Sequence, residues 1–337
     1  MVNWGIAGCG WVARDYVGPA IQASANGRVA AVFDPDAVSR HRAQALFGVQ
    51  AHGDLAAFLA TPGLGAVYVA APNHAHRALV EAAAGAGLPV LCEKPMATTL
   101  ADAEAMVAAC ARAGVRYGTA FDQRFHAAHR ALAGLIAEGR LGTVTAVRIV
   151  YACWLPADWA GDNWRIDPRR AGGGALMDLA PHGLDLAACL LDEPLLDVLA
   201  MGQARVHRYQ VEDGALLMAR SRSGVLLQMH VAYNCPETLP RRRLEVVGTA
   251  GQAVATDTMG QTAGGTLELI DAATGVAAQV EVPGAERSPF LNQVEAFAAA
   301  VEGNGAFPFS PEADLATMRL ILKAQGMAAM PMVEHAA

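Results

Sequence analysis

The sequence contains very little lysine. Among its 25 basic residues only Lys94 and Lys323 are lysines, and all the others are arginines. Arginine stays charged at any working pH, whereas the proton affinity of a lysine amine depends strongly on its surroundings. A general bias toward arginine would leave a few lysines by chance, and Lys323, on a predicted C-terminal helix, fits that explanation. Lys94 differs, because it lies in the triplet Glu93-Lys94-Pro95 directly after the apolar run at residues 88–92, at the end of a predicted strand.

Paired cysteines, clustered basic residues and long apolar runs are also scarce. The six cysteines have no C-x-x-C spacing, which argues against disulfides or a zinc site, so we predict no metal and a reducing cytoplasm. The net charge is −7, and the basic cluster at residues 241–243 favours a solvated edge over a nucleic-acid surface. The longest uncharged stretch, residues 55–72, contains turn residues, so we predict no membrane span. The absence of a basic and apolar leader before Val2 argues against secretion.

The length predicts two domains, because 337 residues, 53% of them hydrophobic, can form two cores. Residues 1–122 alternate short apolar runs with helical stretches, which indicates a parallel sheet with crossover helices. Within residues 123–337, long alternating runs indicate a mainly antiparallel sheet with one covered face. We therefore predict an α/β protein. The predicted strands are 2–7, 29–33, 66–70, 89–92, 115–120, 143–152, 215–220, 225–233 and 244–247, and the main predicted helices are 11–25, 75–85, 100–113 and 289–303.

A glycine-rich turn follows the first predicted strand. Gly8, Gly10 and Ala13 form a G-x-G-x-x-A pattern that also contains Trp11 and Val12. Gly8 permits the tight turn, Gly10 lets a pyrophosphate approach the backbone, and Ala13 allows close helix packing. The N-terminus of the following helix favours anions. The position between a strand and a helix predicts a dinucleotide site, although a glycine-rich turn also occurs without a ligand.

The second predicted strand ends at Asp34, 24 residues after Gly10. A carboxylate at this place meets the ribose of the adenosine. It accepts a hydrogen bond from a free 2′-hydroxyl and repels a 2′-phosphate, so we predict NAD as the cofactor. Arg40 is an alternative that would accept NADP, although an exposed helical arginine is its simpler interpretation. Asp34 itself would otherwise belong to a turn and helix cap.

Polar residues also follow the strand predicted at 66–70. We assign Ala71, Pro72, Asn73 and His76 to the cofactor site, because ligands of doubly wound sheets bind beyond the carboxyl ends of the strands. Asn73 is the strongest of these candidates. A histidine in this loop would otherwise serve as a cap for the helix that follows.

Two further strand ends carry charged residues. Glu93 and Lys94 follow the strand predicted at 89–92, and Pro95 keeps Lys94 out of helical backbone so that its amine is presented to the cleft. We assign both residues to the cofactor site. Asp122 and Arg124 follow the last strand of the first domain, where they would line the substrate site or form the hinge between the domains.

A second group of candidates lies beyond residue 160. Asp178 and His182 share one face of a helix if that helix continues through Pro181. A carboxylate beside an imidazole supports proton transfer near neutral pH, and an ordinary helical ion pair is the alternative. The glycines at 172–174 indicate close approach of the backbone to a ligand or a partner element. Four residues before these glycines would shape the substrate pocket or form a solvated loop: Asp162, Asn163, Trp164 and Arg165.

Taken in order, these motifs resemble those of the Gfo/Idh/MocA oxidoreductase family, and the resemblance covers essentially the whole chain. It implies an N-terminal Rossmann domain followed by an α/β domain with a large open-faced sheet. The motifs that carry it are the glycine-rich turn, Pro-Asn-x-x-His at 72–76, Glu-Lys-Pro at 93–95, Trp-Arg at 164–165 and Asp-x-x-x-His at 178–182.

The resemblance also implies an activity, namely hydride transfer between NAD(P) and a sugar, a polyol or a related carbonyl compound. It implies that Lys94, Asp178 and His182 are the catalytic residues, and that homodimers or homotetramers form through the second-domain sheet. We expect the C-terminal helices to pack on the first domain. Two alternatives remain on the same scaffold: a glycosidase that oxidises its substrate transiently with NAD, and a non-catalytic NAD-binding regulator.

Overall fold

A computed structural model of the chain describes residues 1–159 and 163–328. Asp162, one of the predicted pocket residues, lies outside the described residues. The strands are β1 (Val2–Ala7), β2 (Gly27–Phe33), β3 (Gln50–His52), β4 (Ala66–Val69), β5 (Val90–Glu93), β6 (Tyr117–Ala120), β7 (Val144–Ala152), β8 (Leu195–Gln203), β9 (Gly214–Ser221), β10 (Leu226–Ala232), β11 (Arg242–Gly248), β12 (Gly251–Thr256), β13 (Thr266–Asp271) and β14 (Ala277–Gln279). The helices are α1 (Gly18–Ala23), α2 (Ala37–Phe47), α3 (Leu55–Leu59), α4 (His76–Gly85), α5 (Leu100–Ala113), α6 (Ala127–Ala137), α7 (Pro168–Ala171), α8 (Ala175–Leu191), α9 (Pro289–Val301) and α10 (Pro311–Ala328).

The first compact unit, Met1–Phe125 with Ser288–Leu315, is built on a six-stranded sheet. Its strand order is β3-β2-β1-β4-β5-β6, and all neighbouring strands are parallel. This is the order of a doubly wound dinucleotide-binding sheet, so the predicted Rossmann fold is confirmed. Trp4, Tyr68 and Leu91 are fully buried in its core. Continuous apolar strands are expected when both faces of a parallel sheet are covered.

Local sequence signals place the helices of this unit. α5 begins after Thr99, whose side chain accepts the Asp102 N–H, and ends at Gly114 in left-handed backbone, as the sequence predicts. The helix predicted at 11–25 is present at residues 11–23, where a π-helical turn, Ala13–Val17, leads into α1. β3 was not predicted, because this edge strand has only three residues and none of them is buried.

The second compact unit, His126–Arg287 with residues 316–328, contains an eight-stranded sheet. Its order is β14-β13-β12-β11-β7-β10-β9-β8, in which β7 and β10 are parallel and every other neighbouring pair is antiparallel. The predicted mainly antiparallel sheet is therefore confirmed. Its helix-covered face forms the core of the unit, and buried and exposed side chains alternate along β9.

Helix α8 is the central helix of the second unit. The stretch Pro168–Leu191 is apolar and long enough to cross a membrane by length and composition, but 78% of its apolar window is buried inside the protein. A helix that is apolar on all sides is typical of a protein core as well as of a membrane span, and the burial favours the core. Pro181 lies inside α8, and the helix continues to Leu191.

Candidate active site

The glycine-rich turn after β1 has the geometry that dinucleotide binding requires. Gly8 has a φ of 98°, and a Cβ at this position would lie 2.6 Å from the backbone nitrogen of Ala71. Only glycine fits both the conformation and this contact. Gly10 is exposed, and a Cβ built there meets no atom within 4 Å. The backbone at Gly10 is therefore open to a ligand, which fits a pyrophosphate.

The other residues of the turn pack around this opening. The Gly10 carbonyl accepts the N–H of Arg14, so the helical turn begins at the second glycine of the motif. Trp11 and Val12 are half-buried, and the Trp11 ring meets Tyr16 edge-on at 5.1 Å. Ala13 is buried against the sheet, as its small side chain predicts.

The Asp34 carboxylate is fixed at the end of β2. Its two oxygens accept the N–H groups of Cys9, at 2.8 Å, and Asp36, at 2.9 Å. These bonds hold a negative charge beside the glycine-rich turn. The Arg40 guanidinium donates to the backbone carbonyls of Asp34, at 2.7 Å, and Pro35, at 3.3 Å. Both groups considered for the choice between NAD and NADP therefore lie at one strand end.

The loop after β4 runs from Ala71 into a short helical turn, Asn73–Ala75. Ala71 and Pro72 are half-buried, and the Asn73 side chain is buried. The Ala71 backbone nitrogen is the nearest atom to the position that a Cβ on Gly8 would occupy. This loop therefore borders the glycine-rich turn, as expected for neighbouring parallel strands β1 and β4.

His76 is fully buried and connects two loops. Its Nε2 lies 2.9 Å from the Ala71 carbonyl, and its Nδ1 lies 3.1 Å from the carbonyls of Pro95 and Met96. Burial lowers the pKa of His76, and the hydrogen bonds to the three carbonyls oppose this shift. The imidazole holds the loop after β4 against the loop after β5.

Glu93 and Lys94 lie at the end of β5, before a cis peptide bond between Lys94 and Pro95. The Tyr68 hydroxyl donates to one carboxylate oxygen of Glu93 at 2.8 Å, and the Lys94 N–H donates to the other at 3.2 Å. Burial raises the pKa of Glu93 to about 7, and the positive charge of Lys94 opposes this rise while the negative charge of Asp122 adds to it. Lys94 itself is half-buried.

Asp122 and Arg124 lie in the helical turn after β6, and both are buried. Gln123 donates to the Asp122 carboxylate at 2.8 Å. Arg124 forms an ion pair with Asp314 at 2.7 Å, and its guanidinium lies 3.9 Å from the ring centre of Phe309. Burial raises the pKa of Asp314, whereas Arg124 lowers it. These contacts are part of the core of the first unit.

In the second unit, Gly174, the last of the three glycines before α8, meets a partner element. Glu212 accepts the N–H groups of Gly174, at 2.8 Å, and Leu176, at 3.1 Å, at the start of the helix. A Cβ on Gly174 would lie 2.1 Å from the Glu212 carbonyl oxygen, so only glycine allows this approach. Of the two interpretations of the glycines, the structure supports the partner element.

Asp178 lies in the first turn of α8 and is half-buried. Its Oδ2 accepts the hydroxyl of Tyr233 at 2.8 Å and lies 3.8 Å from Nε of Arg165. Burial and the Asp178 charge raise the pKa of Tyr233 well above its usual range, so the phenol stays protonated and donates. The carboxylate is thus held by a phenol from the end of β10 and faces a guanidinium.

His182 lies one turn after Asp178. Because α8 continues through Pro181, the two side chains share one face of the helix, which settles the sequence-based uncertainty about this proline. The imidazole is buried, and its ring meets that of Tyr151 edge-on at 5.5 Å.

Of the predicted pocket residues before α7, Trp164 lies against the Arg165 guanidinium. Its guanidinium carbon lies 4.5 Å from the ring centre of Trp164 and 5.1 Å from that of Trp159, which orients the cation by cation–π contacts. Asn163 is buried and donates to the Pro156 carbonyl at 3.2 Å. Two indoles therefore present Arg165 to Asp178.

The residues of these clusters that were not identified from the sequence include Tyr68, Glu212 and Tyr233. Each contacts a residue far away along the chain, up to 55 positions for Tyr233 and Asp178. The glycines at 172–174 were the one local signal, since they predict a close neighbour without naming it.

Comparison with known families covers both units. Residues 2–121 match the model of an oxidoreductase family with an NAD-binding Rossmann fold, and residues 129–254 match the GFO/IDH/MocA C-terminal domain.

Known proteins of similar sequence and structure agree with these matches. The chain is 35% identical over 307 residues to 1,5-anhydro-D-fructose reductase from Ensifer adhaerens, covering 90% of each chain. It is 31% identical to D-xylose 1-dehydrogenase (NADP(+)) 2 from Haloferax volcanii, covering 94% of each. The crystal structure of aldose-aldose oxidoreductase from Caulobacter crescentus superposes with a TM-score of 0.87 at 26% identity and 97% coverage of each chain. The chain therefore belongs to the GFO/IDH/MocA family of oxidoreductases and carries its NAD-binding Rossmann domain.

Proposed function

We propose that the protein transfers a hydride between NAD(P) and a hydroxyl or carbonyl group of a sugar, a polyol or a related compound. The observation that carries this proposal is the presence, in a member of this oxidoreductase family, of Lys94 at a strand end and of Asp178 with His182 on one helix face. The names of the relatives, an anhydrofructose reductase and a xylose dehydrogenase, support the substrate class.

The three side chains have separate roles in the proposed reaction. When bound, the nicotinamide supplies or accepts the hydride. In alcohol oxidation, His182 takes the hydroxyl proton, and Lys94 donates a hydrogen bond to the same oxygen and stabilises its developing negative charge. Asp178 orients His182 or the substrate. The alternative assignment, with Lys94 as the principal base, uses the same residues.

The surroundings of Asp178 define the proposed substrate pocket. Tyr233 and Arg165 contact the carboxylate, and Trp164 orients Arg165. An apolar molecule would displace water from these polar groups without replacing the hydrogen bonds of that water. A charged, hydrogen-bonding wall of this kind therefore selects a polyhydroxylated substrate. Asn163 completes the set of pocket candidates in the second unit, whereas Asp122 and Arg124 are buried in the core of the first unit, where Arg124 pairs with Asp314.

The proposed cofactor is NAD rather than NADP. Asp34 supports this choice, since its carboxylate is fixed beside the glycine-rich turn, where a 2′-phosphate would meet a negative charge. The proposed cofactor site further includes the residues placed around this turn and at the ends of β4 and β5: Gly8, Gly10, Trp11, Val12, Ala13, Ala71, Pro72, Asn73, His76, Glu93 and Lys94.

We further assign cofactor binding to residues 1–122, and substrate binding and oligomer formation to residues 123–337. The outward face of the second-unit sheet supports an oligomer, because its large apolar side chains are exposed on neighbouring strands. The exposed residues are Leu196, Leu199, Met201, Leu216, Met218 and Leu226.

Replacing both Leu216 and Met218 with glutamate should dissociate a homodimer or homotetramer, which analytical ultracentrifugation would show as a lower sedimentation coefficient. Leu46→Glu, a control on α2, should leave the sedimentation coefficient unchanged.

We place the protein in the cytoplasm, without a nucleic-acid or membrane partner. Its six cysteines are free thiols, which supports a reducing compartment. The net charge of −7 opposes binding to a polyanion.

A substrate panel tests the proposal. Sugars, inositols and sugar acids are incubated with the enzyme and either NAD or NADP, and the absorbance of reduced nicotinamide is followed. We expect turnover with a polyhydroxylated substrate and a higher kcat/KM with NAD. Cleavage of a chromogenic glycoside without net NADH would favour the glycosidase, and NAD binding without turnover on any compound would favour the regulator.

A further inference from the structure

The guanidinium of Arg165 has more hydrogen-bond donors than its surroundings use. The side chain is only 15% exposed, and its ion pair with Asp178 joins Nε and Oδ2 at 3.8 Å, which is too long for a hydrogen bond. Within residues 1–159 and 163–328, no acceptor lies within hydrogen-bond distance of this guanidinium. A guanidinium carries five N–H donors, and largely buried donors are normally paired. The environment of Arg165 therefore suits a ligand that accepts hydrogen bonds.

Two indoles fix the position of this cation. The guanidinium carbon lies 4.5 Å from the ring centre of Trp164 and 5.1 Å from that of Trp159. Cation–π contacts of this kind hold the charge over the ring faces and do not use the N–H donors. Arg165 is therefore oriented by the protein while its donors stay available.

Positive charge predominates around Arg165. Burial and the Asp178 carboxylate raise the pKa of the neighbouring Cys153 thiol to about 12, and three guanidinium groups oppose this rise, those of Arg165, Arg241 and Arg242. Arg241 is paired with Glu237 at 3.0 Å. Two guanidinium charges then remain against the single carboxylate of Asp178, which favours an anionic ligand over a neutral one.

We propose that Arg165 binds an oxyanion of the substrate, a carboxylate or a phosphate, and that the protein therefore prefers acidic sugars to neutral ones. The planar fork of a guanidinium donates to two oxygens of such a group at once. This inference rests on the proposed function, because it names the substrate class of the same pocket.

The contact between Arg165 and α8 places the oxyanion close to the proposed base. Arg165 lies beside Asp178, and His182 follows one helical turn later, about 5 Å along the helix axis. A single sugar ring spans a separation of this size. The oxyanion and the hydroxyl that reacts consequently belong to one sugar unit, so the expected substrate is a monomeric sugar acid or sugar phosphate.

Sugars that differ only at C6 test this preference. Glucose, glucuronate and glucose 6-phosphate form one set, and galactose with its two corresponding derivatives forms another. Their dissociation constants are measured by calorimetry with the enzyme saturated with NADH, so that the hydroxyl groups are not oxidised during the titration. We expect an acidic member to bind about tenfold or more tightly than its neutral counterpart, because hydrogen bonds between charged groups are the stronger kind. The two acidic members distinguish a carboxylate from a phosphate.

Three variants connect this preference to Arg165. In Arg165→Gln the advantage of the acidic sugar should disappear, since the charge is lost. Arg165→Lys keeps the charge without the planar fork, so it should retain more of an advantage for a phosphate than for a carboxylate. Arg169→Gln is the matched control, because Arg169 lies on the same segment, is 92% exposed and pairs with Asp167 at 3.7 Å. It should keep the wild-type preference.

Fluorine NMR locates the bound oxyanion. Labelling with 5-fluorotryptophan gives five signals, one for each tryptophan of the chain, and Trp159→Phe and Trp164→Phe assign the two that flank Arg165. An acidic sugar should shift these two signals further than its neutral counterpart does. The signal of Trp4, which is fully buried in the first unit, should not move.

Equal affinity for acidic and neutral sugars in both sets would overturn the inference, and so would tight binding of an acidic sugar without a shift of the Trp159 and Trp164 signals. If Arg165 only pairs with Asp178, Arg165→Gln lowers the thermal midpoint and weakens acidic and neutral sugars alike. If Arg165→Gln does not fold, the unequal effect of Arg165→Lys on carboxylate and phosphate decides. Binding of an acidic sugar at Arg165 without turnover in the substrate panel would refute the proposed function alone, whereas turnover of neutral sugars without this preference would refute the inference alone.

Discussion

The two units position their functional side chains by different means. In the first unit, Gly8, Asp34 and Lys94 follow β1, β2 and β5, whose carboxyl ends lie at the same edge of a parallel sheet. In the second unit, Asp178 lies on a helix, and Tyr233 reaches it from the end of a strand 55 residues away. The comparison teaches that a parallel sheet assembles a site from strand ends, whereas the second site depends on tertiary packing.

The largest effect is expected at a strand end of the first unit. Lys94→Arg should lower kcat by roughly 10²–10⁴-fold, the range for a positioned acid–base group, because a bulkier planar cation cannot occupy the place of the amine. NAD affinity, measured by calorimetry, should change little. Lys323→Arg makes the same chemical change on α10 and should keep wild-type turnover. Near-wild-type kcat in Lys94→Arg would refute the role of this lysine.

The next largest effect should come from the helix face of the second unit. Asp178→Ala and His182→Ala should each disable the same proton transfer, so the double variant should lose little more kcat than the worse single variant. The pH profile of kcat/KM should lose its lower limb in His182→Ala. Kinetics and thermal midpoints of the three variants test this prediction. A lower midpoint with unchanged kcat would make the pair an ordinary ion pair.

A smaller effect is expected from Asp34→Ser, which tests whether the carboxylate at the end of β2 faces the ribose of the cofactor. The preference for NAD over NADP, measured as a ratio of kcat/KM values, should fall about tenfold or more, because repulsion of the 2′-phosphate is removed. Asp36→Ser is a matched control, since Asp36 caps α2 and serine is also a good cap. A native preference for NADP would instead point to Arg40.

The smallest effect should come from Tyr233→Phe. This variant tests whether Asp178 in the second unit depends on a contact that tertiary packing provides. Loss of one hydrogen bond to Asp178 should lower kcat/KM about fivefold, corresponding to about 1 kcal/mol. Tyr209→Phe, which removes a phenol bonded to the Leu155 carbonyl, should have no such effect. Equal kinetics in the two variants would show that Tyr233 does not tune Asp178.

The same contrast explains what the sequence could predict. Strand ends of a parallel sheet are visible as apolar runs followed by polar residues, so the parallel sheet and the glycine-rich turn were predicted from local patterns. The Rossmann domain was predicted from the resemblance to the family. The i,i+4 spacing likewise placed Asp178 and His182 on one helix face. Local patterns contain no information about which distant side chain fills the space beside a residue, and for this reason Tyr68, Glu212 and Tyr233 were missed. The short edge strand β3 was missed because no buried residue marks it.

The stoichiometry of the reaction tests the central proposal most directly. With the best substrate of the panel, NADH and oxidised sugar are quantified together over a complete reaction of the wild-type enzyme. The proposal predicts one NADH for each sugar molecule oxidised, at a rate that depends on Lys94. Substrate consumption without net NADH would contradict it.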